Sequence, residues 1–478
     1  MKKAFLTNLA LVLGLNLSIK PFWIFFIDRK VQNLVGPAEF GTYFALFNFS
    51  YVFYIILDLG ITNFNNRNIA QHTHLLSKHF SRVVMLKLTL ALIYLAVCCV
   101  SGLIIKYDVR HLKLLMILCF NQFLISFILY LRSNISGLHL FKTDSVLSVT
   151  DRITGIAICA PFIWFHFMGG IDIMTYVYAQ TISYALTAAI AFAIVIKKAG
   201  FISFDWGRTF SIMILKQSFP YAILGMLMAF YNRIDSVMLE RMMNDDGVEA
   251  GIYAQAFRLL DAANMVAFLT AGLLLPMFSR MLKYKESVEP LVKTSYTLLM
   301  TLAIVVASGC WFFGDKMMAM LYDGDVAESS RIFRILMCCF MGSVTQYVFG
   351  TLMTANGNLK YQNIIAACGM MINIVFNFIM IPYFHAVGSA IVSLTTQLLV
   401  PAIQVIVVQR IFKFKMIFRL FATLLVFAIG EIVIGYFTHN LPYDWRISFL
   451  IMCGASGILA FAVGLLNIKG FLNVMKNG

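Results

Sequence analysis

Twelve ionisable residues fall inside stretches that otherwise read as continuous apolar runs. The bases are Lys20, Lys87, Lys113, Arg152, Arg233, Arg258 and Arg334, and the acids are Asp58, Asp151, Asp235, Asp261 and Glu431. A charge near the centre of a lone membrane-spanning helix costs about 2.5–3.5 kcal/mol on insertion scales, so such residues need a polar cavity or one another. The densest group lies within 219–261, where two apolar segments joined by the turn MNDDGVEAG carry Arg233 and Asp235, then Arg258 and Asp261. Arg258 and Asp261 are spaced i,i+3 on one helix face and can neutralise each other. Arg233 and Asp235 are spaced i,i+2, point apart, and each needs its own partner. Lys87, Lys113 and Arg334 lie within about two turns of a span end, where a long side chain snorkels to the interface. Arg152, next to Asp151, divides evenly between that reading and a cavity position, whereas Lys20 and Arg258 sit too deep for it. Lys20 also precedes Pro21, which removes a backbone hydrogen bond and bends the helix at the cation. Bases buried this way suit an anionic ligand, since they offer charge-assisted hydrogen bonds and arginine adds a planar fork for phosphate.

The elements that position these residues follow from hydropathy. The chain has 478 residues, 61% hydrophobic and 12% charged, with a mean hydropathy of +0.84, which excludes a soluble globular protein. The apolar runs are about 20 residues long and do not alternate, which predicts helices and excludes a membrane β-barrel. An all-α polytopic membrane protein is expected, with fourteen spans near 6–28, 42–64, 83–105, 112–134, 146–168, 173–196, 212–239, 251–279, 291–314, 331–354, 360–382, 385–408, 418–438 and 447–468. The N-terminus imitates a signal peptide but lacks a convincing small-residue cleavage site, and its apolar run continues past Pro21 to Ile27, so it is kept as the first span. With the N-terminus placed in the cytoplasm, that side carries 22 Lys/Arg in its loops and termini and the opposite side eight. Both termini are therefore expected in the cytoplasm. The net charge of +15 then reflects topology and anionic lipid headgroups rather than nucleic acid.

Several chemistries find no motif. There is no GxxxxGK[ST] loop and no HExxH, and the nine cysteines fall in apolar spans without zinc-site spacing. The group His72, Thr73, His74 and His79 lies in a basic loop and reads as solvated. The outer loops are too short to enclose a sugar acceptor, so an enzyme is disfavoured, and no cofactor or metal is expected. One internal echo stands out. Gly41, Tyr43 and Phe47 of GTYFALF match Gly251, Tyr253 and Phe257 of GIYAQAF at an offset of 210 residues. That offset is near half the membrane-embedded chain, as an internal duplication requires.

LVGPAEFGTYFALF followed by ILDLGITNFNNRNIA resembles the N-terminal signature of the polysaccharide transporter, or oligosaccharide flippase, family. FPYAILGMLMAFYNRIDSVML, AGLLLPMFSRM, TANGNLKYQN and NIVFNFIMIPYFHAVGSAIVS follow in family order, so the resemblance covers essentially the whole chain. There are departures: Asn33 holds a place where the family often has Arg, with Arg29 and Lys30 one turn earlier, and His385 to Gly388 replaces a Gly-containing turn. The resemblance implies the MOP exporter fold, with two six-helix lobes (1–200 and 201–411) and two appended helices (412–478). It implies transfer of undecaprenyl-diphosphate-linked oligosaccharide (an O-antigen, capsule or exopolysaccharide unit) from the cytoplasmic to the periplasmic leaflet of the bacterial inner membrane by alternating access. Partners would be the lipid-linked oligosaccharide and membrane lipids, with a polysaccharide polymerase and a chain-length regulator as further candidates, and no nucleic acid. The candidate substrate-binding cations are Lys20, Arg29, Arg152, Arg233 and Arg258, and the candidate cavity or coupling acids are Asp58, Asp235 and Asp261. The alternatives are a MATE-like cation-coupled multidrug exporter, in which acids would dominate the cavity, a lipid II flippase, and a non-transporting scaffold of an envelope-assembly complex.

Overall fold

Prolines and glycines set the breaks in an otherwise helical chain. The computed structural model describes residues 14–16, 18–62, 65, 69, 75–138, 140–165, 170–200, 208–243, 245–324, 326–414 and 417–465. The loop histidines His72 and His74, both chain termini, Arg67 and Asp325 lie outside the described residues. No strand occurs among those described. The chain forms two compact units, Met1–Gly251 and Ile252–Gly478.

In the first unit, the helix carrying Lys20 and Pro21 widens into a π-turn at Trp23–Asp28 and continues as α1 (Arg29–Val35). Pro21 has no N–H to donate, and a π-turn is one way for a helix to absorb that loss. The first helix was expected to end at 28. It runs to Val35 because RKVQNLV has good helix formers and nothing stops it before Gly36, which adopts φ 83°, a conformation open to glycine. Pro37 then opens α2 (Pro37–Val52) at the first helical position. The span expected over 42–64 is not one helix. After a 3₁₀ turn at Tyr54–Leu57 the backbone breaks, with Leu59 at φ 43° and Gly60 at φ 81°. Four long helices follow: α3 (Leu75–Ile104), α4 (Val109–Gly137), α5 (Phe141–Trp164) and α6 (Ile173–Ala199). Asp108 and Asp172 cap α4 and α6, accepting hydrogen bonds from the backbone N–H of His111 and Thr175. α7 (Arg208–Met242) packs on α2. Just beyond α7, a Cβ on Gly41 would lie 1.9 Å from the Gly247 carbonyl oxygen and 2.5 Å from the Gly251 nitrogen. The echoed glycines Gly41 and Gly251 thus touch, and only hydrogen side chains permit this approach.

α8 (Val248–Lys283) begins at the boundary between the units. The second unit continues through α9 (Glu289–Leu321), α10 (Val326–Thr345), a π-turn at Gln346–Gly350, and α11 (Thr351–Ala355). α12 (Leu359–Phe412) is 54 residues long, or about 80 Å at 1.5 Å per residue, far more than a bilayer needs. Its chain turns at His385 (φ 53°, ψ −137°). A Cβ on Gly369 would meet Val400, and one on Gly388 the Met380 carbonyl, so the two halves form an antiparallel hairpin, as the separate spans 360–382 and 385–408 require. α13 (Ile417–His439) and α14 (Trp445–Ala462) pack together and on α9.

Eleven described helices are long and apolar enough to cross a membrane, with the α12 hairpin counted as one. Counting its two arms and the helices around Lys20 and α2 brings the total close to the expected fourteen. The core is apolar, with Tyr43, Phe44, Tyr130 and Phe313 buried, but the exposed surface is apolar too. Leu92, Ile104, Phe165, Leu450 and Ile458 are each at least 69% exposed, while Asn48, Asn121, Gln122, Asn134, Asn373 and Asn377 are buried. Apolar faces outward and polar groups inward fit a lipid solvent.

Candidate functional site

The π-turn after Pro21 carries Trp23, Ile27 and Asp28 inward. Facing them from α5 is Arg152, whose guanidinium lies 5.1 Å from the Trp23 ring and 5.9 Å from the Tyr184 ring. Its Nε is 3.4 Å from an Asp151 carboxylate oxygen. α6 contributes Tyr176, whose hydroxyl donates to the buried Asp28, and Gln180, whose Nε2 donates to the Tyr43 hydroxyl at 3.2 Å. Tyr176 meets Tyr43 edge-on at 5.6 Å and stacks on Trp23 at 6.1 Å. Gly155 makes room, since a Cβ there would be 2.6 Å from the Trp23 indole. Lys20 interacts electrostatically with Arg152, Asp151 and Arg132, although Arg132 is itself paired with Asp144 at 2.7 Å. Two cations from two helices, Lys20 and Arg152, therefore share one locality with Asp28 and Asp151. Aromatic faces line it, and they strengthen cation contacts where water is scarce. The arrangement has the donors to hold an anion and the ring faces to pack beside it.

The other sequence-predicted residues go elsewhere. Arg29 is half-buried one residue beyond the π-turn. Asp58, at the broken end of the second span, pairs with Lys87, whose Nζ lies 2.5 Å from Asp58 Oδ1, 3.0 Å from the Leu57 carbonyl and 2.9 Å from Ser126 Oγ. Lys87 is 1% exposed, so the expected snorkelling does not occur. The reason is that α3 begins at Leu75 rather than near 83, which puts Lys87 about three turns into the helix. Arg233 on α7 lies 5.3 Å from the Tyr51 ring, Asp235 is buried, and Asn48 on α2 donates to Ser236 at 2.8 Å. Arg258 and Asp261 lie half-buried on α8 in the second unit. In the first unit the structure thus brings Lys20 together with Arg152 and Asp58 together with Lys87, while Arg29, Arg233 and Asp235 lie apart from these two groups. Asp28, Tyr176 and Tyr184 complete the first of these groups and carry no distinguishing signal in the sequence. Asp28 sits where the expected first helix ended, and the tyrosines are individually indistinguishable from packing residues until their helix is docked.

These features define a helical membrane protein with a polar interior. Similarity to solved structures specifies the fold further. The chain is similar to a lipid II flippase MurJ in an inward closed conformation, with a TM-score of 0.71 at 14% identity, covering 93% of this chain and 97% of that one. It is also similar to an inward-facing multidrug resistance MATE family transporter of the MOP superfamily, with a TM-score of 0.62 at 14% identity, covering 85% and 94%. A third similarity is to a MOP superfamily transporter from Pyrococcus furiosus, described as having a binding pocket of reverse polarity, with a TM-score of 0.63 at 14% identity, covering 85% and 95%. The fold is that of the MOP transporters. Residues 25–282 match the polysaccharide biosynthesis protein family, and the chain belongs to that family. No curated protein matches the sequence.

Proposed function

We propose that this protein is a flippase that moves undecaprenyl-diphosphate-linked oligosaccharide from the cytoplasmic to the periplasmic leaflet of the bacterial inner membrane by alternating access. The observation that carries the reading is the convergence of Lys20 and Arg152 beside Trp23 and Tyr184 within apolar spans. A lipid diphosphate carries roughly two negative charges, and hiding it from water is far costlier than hiding its alkyl chain. Two desolvated cations offset that cost with charge-assisted hydrogen bonds. Arg29, Arg233 and Arg258 are the further cations along the path, and Asp58, Asp235 and Asp261 the acids that set its potential. Two six-helix lobes, 1–200 and 201–411, would move against each other, with 412–478 appended. Both termini would face the cytoplasm, and a polymerase and chain-length regulator would receive the product.

The test is export complementation in a strain lacking its own flippase for the same glycan, normalised to protein in the membrane. Lys20→Ala and Arg152→Ala should each cut surface glycan at least tenfold, and Arg152→Lys should restore part of it. Normal export in both alanine variants would overturn the reading. Rescue of a lipid II flippase deletion instead of the glycan strain would favour the lipid II alternative.

A further inference from the structure

A second polar site lies within the first unit, at the helix ends where the connections α1–α2, α3–α4, α5–α6 and α7–α8 come together. It is a cavity of about 1050 Å³ lined by Glu39, Thr42, Arg110, Lys113, Met174 and Asp246 among others. This exceeds the roughly 300–1,000 Å³ common for small-molecule sites. Most of its charges are paired with one another. Arg110 pairs with Glu39 at 2.7 Å, Arg241 with Glu240 at 3.6 Å, and His111 bridges Asp108 and Glu240, the latter at 3.9 Å. Four carboxylates face three fixed cations and one imidazole in the lining, so the wall is close to neutral.

A nearly neutral wall dense in both donors and acceptors suits a ligand whose own groups are each donor and acceptor, and hydroxyls are that chemistry. The site is also ordered from behind. The buried Tyr107 stacks on His111 at 5.6 Å and hydrogen-bonds Glu240 at 3.3 Å, while Arg241 lies 4.8 Å from the Tyr107 ring. Held in this way, His111, Glu240 and Arg241 present a fixed pattern, and Arg110 and Glu39 pair at its exposed rim. Ile173 and Met174, which line the cavity, open the same helix that carries Tyr176 and Tyr184 to Arg152. From Met174 to Tyr184 is about 15 Å along the helix at 1.5 Å per residue. That separation suits a ligand with a charged end at one site and an extended uncharged chain reaching the other.

We propose that this cavity is a saccharide site, which takes the oligosaccharide portion of the substrate at the extracytoplasmic end and discriminates by its hydroxyls. The assignment rests on the flippase reading given above, and it adds a glycan-recognising wall separate from the diphosphate-binding cations. Purified full-length protein in nanodiscs is titrated calorimetrically with oligosaccharide released by mild acid from the host's lipid-linked fraction, and in parallel with inorganic pyrophosphate. Wild-type protein should bind the released oligosaccharide. Arg110→Ala and Asp246→Asn, both exposed positions, and the cavity-filling Met174→Trp should each weaken it at least tenfold. Lys20→Ala and Arg152→Ala should bind it as wild type does. Loss of export in those two cation variants with unchanged oligosaccharide binding separates the two sites. Absence of oligosaccharide binding to wild type, or equal binding by wild type and all three cavity variants, overturns the saccharide assignment. Pyrophosphate binding that vanishes in Arg110→Ala also overturns it, by making the cavity an anion site. If oligosaccharide binds as expected but Lys20→Ala and Arg152→Ala export normally, the diphosphate reading fails and the saccharide site stands.

Discussion

Lys87 and Asp58 give the most direct measurement of how this protein stores charge in a membrane span. The Lys87 ammonium has three acceptors, at 2.5, 3.0 and 2.9 Å, so each of its protons has a partner. Replacing it by methionine keeps the volume and the contact with Tyr130, whose ring centroid is 6.0 Å from the Lys87 nitrogen. Asp58 would be left with Thr62 as its hydrogen-bond donor. Breaking a buried pair by removing one partner costs about 3–5 kcal/mol. The Asp58 side chain is 17% exposed, so water reaches the stranded carboxylate and the lower end, about 3 kcal/mol, is expected. Asp58→Asn is milder. It leaves Lys87 its carbonyl, its serine and an amide oxygen, and a hydrogen bond to a charged group contributes about 1.5–3 kcal/mol. The double variant Lys87→Met/Asp58→Asn removes both charges and should be more stable than Lys87→Met, with a coupling of about 2 kcal/mol. The assay is thermal unfolding in detergent followed with a thiol-reactive dye. All nine cysteines are free, and Cys98, Cys119 and Cys310 are buried until the helices separate. The order of stability should be wild type, double variant, Lys87→Met. If Lys87→Met melts with wild type, or the double variant is as unstable as the two single losses added, the pair does not hold the second span to α3 and the reasoning fails.

Two further predictions use the same protein. Gly41→Val places atoms where the Gly247 carbonyl already stands, and overpacking of this kind costs about 1–3 kcal/mol. Its dye-detected melting should fall, while Gly272→Ala, with nothing within 4 Å of the new Cβ, should melt at or above wild type by up to about 1 kcal/mol. Equal melting of the two variants would remove the close helix approach as a cause. For orientation, reporters fused at Asp245 should be active outside and those at Lys283 inside, from the excess of loop Lys/Arg on one side. A Lys283 reporter active outside would invert the topology.

Much of the fold was legible in the sequence because lipid imposes a simple rule. A span must be helical, apolar and about 20 residues long, and hydropathy reads all three properties. The α12 hairpin is legible this way, since its length requires two spans and the chain turns between them at His385. The second span shows the limit. Tyr54 to Thr62 reads as the continuation of an apolar span interrupted only by Asp58, yet its backbone breaks at Leu59 and Gly60, and Asp58 pairs with Lys87. Hydropathy carries no information about such a break, because the decisive partner lies on another helix. The burial of Lys87 is hidden in the sequence for the same reason. Its depth depends on where α3 starts, and polar residues before the apolar run extend a helix without raising hydropathy.

The site was legible as a set of charges and illegible as a map. Arg152 and Asp151 are adjacent in sequence, and nothing in that adjacency says that Lys20 belongs with them or that Asp58 does not. Docking assigns them. The π-turn that follows Pro21 shifts the phase of the first helix, so Trp23 and Asp28 turn inward together, and Gly155 leaves the space the indole needs. A residue that disrupts a helix is usually a cost to stability. In this helix the disruption is what points an aromatic ring and a carboxylate at Arg152, and the sequence bears it because Tyr176 satisfies the buried Asp28. Filling Gly155 would push Trp23 out of that pocket and separate Arg152 from its ring, while leaving every charge in place. Such a variant isolates geometry from charge, and the charge inventory read from the sequence alone would not foresee its effect.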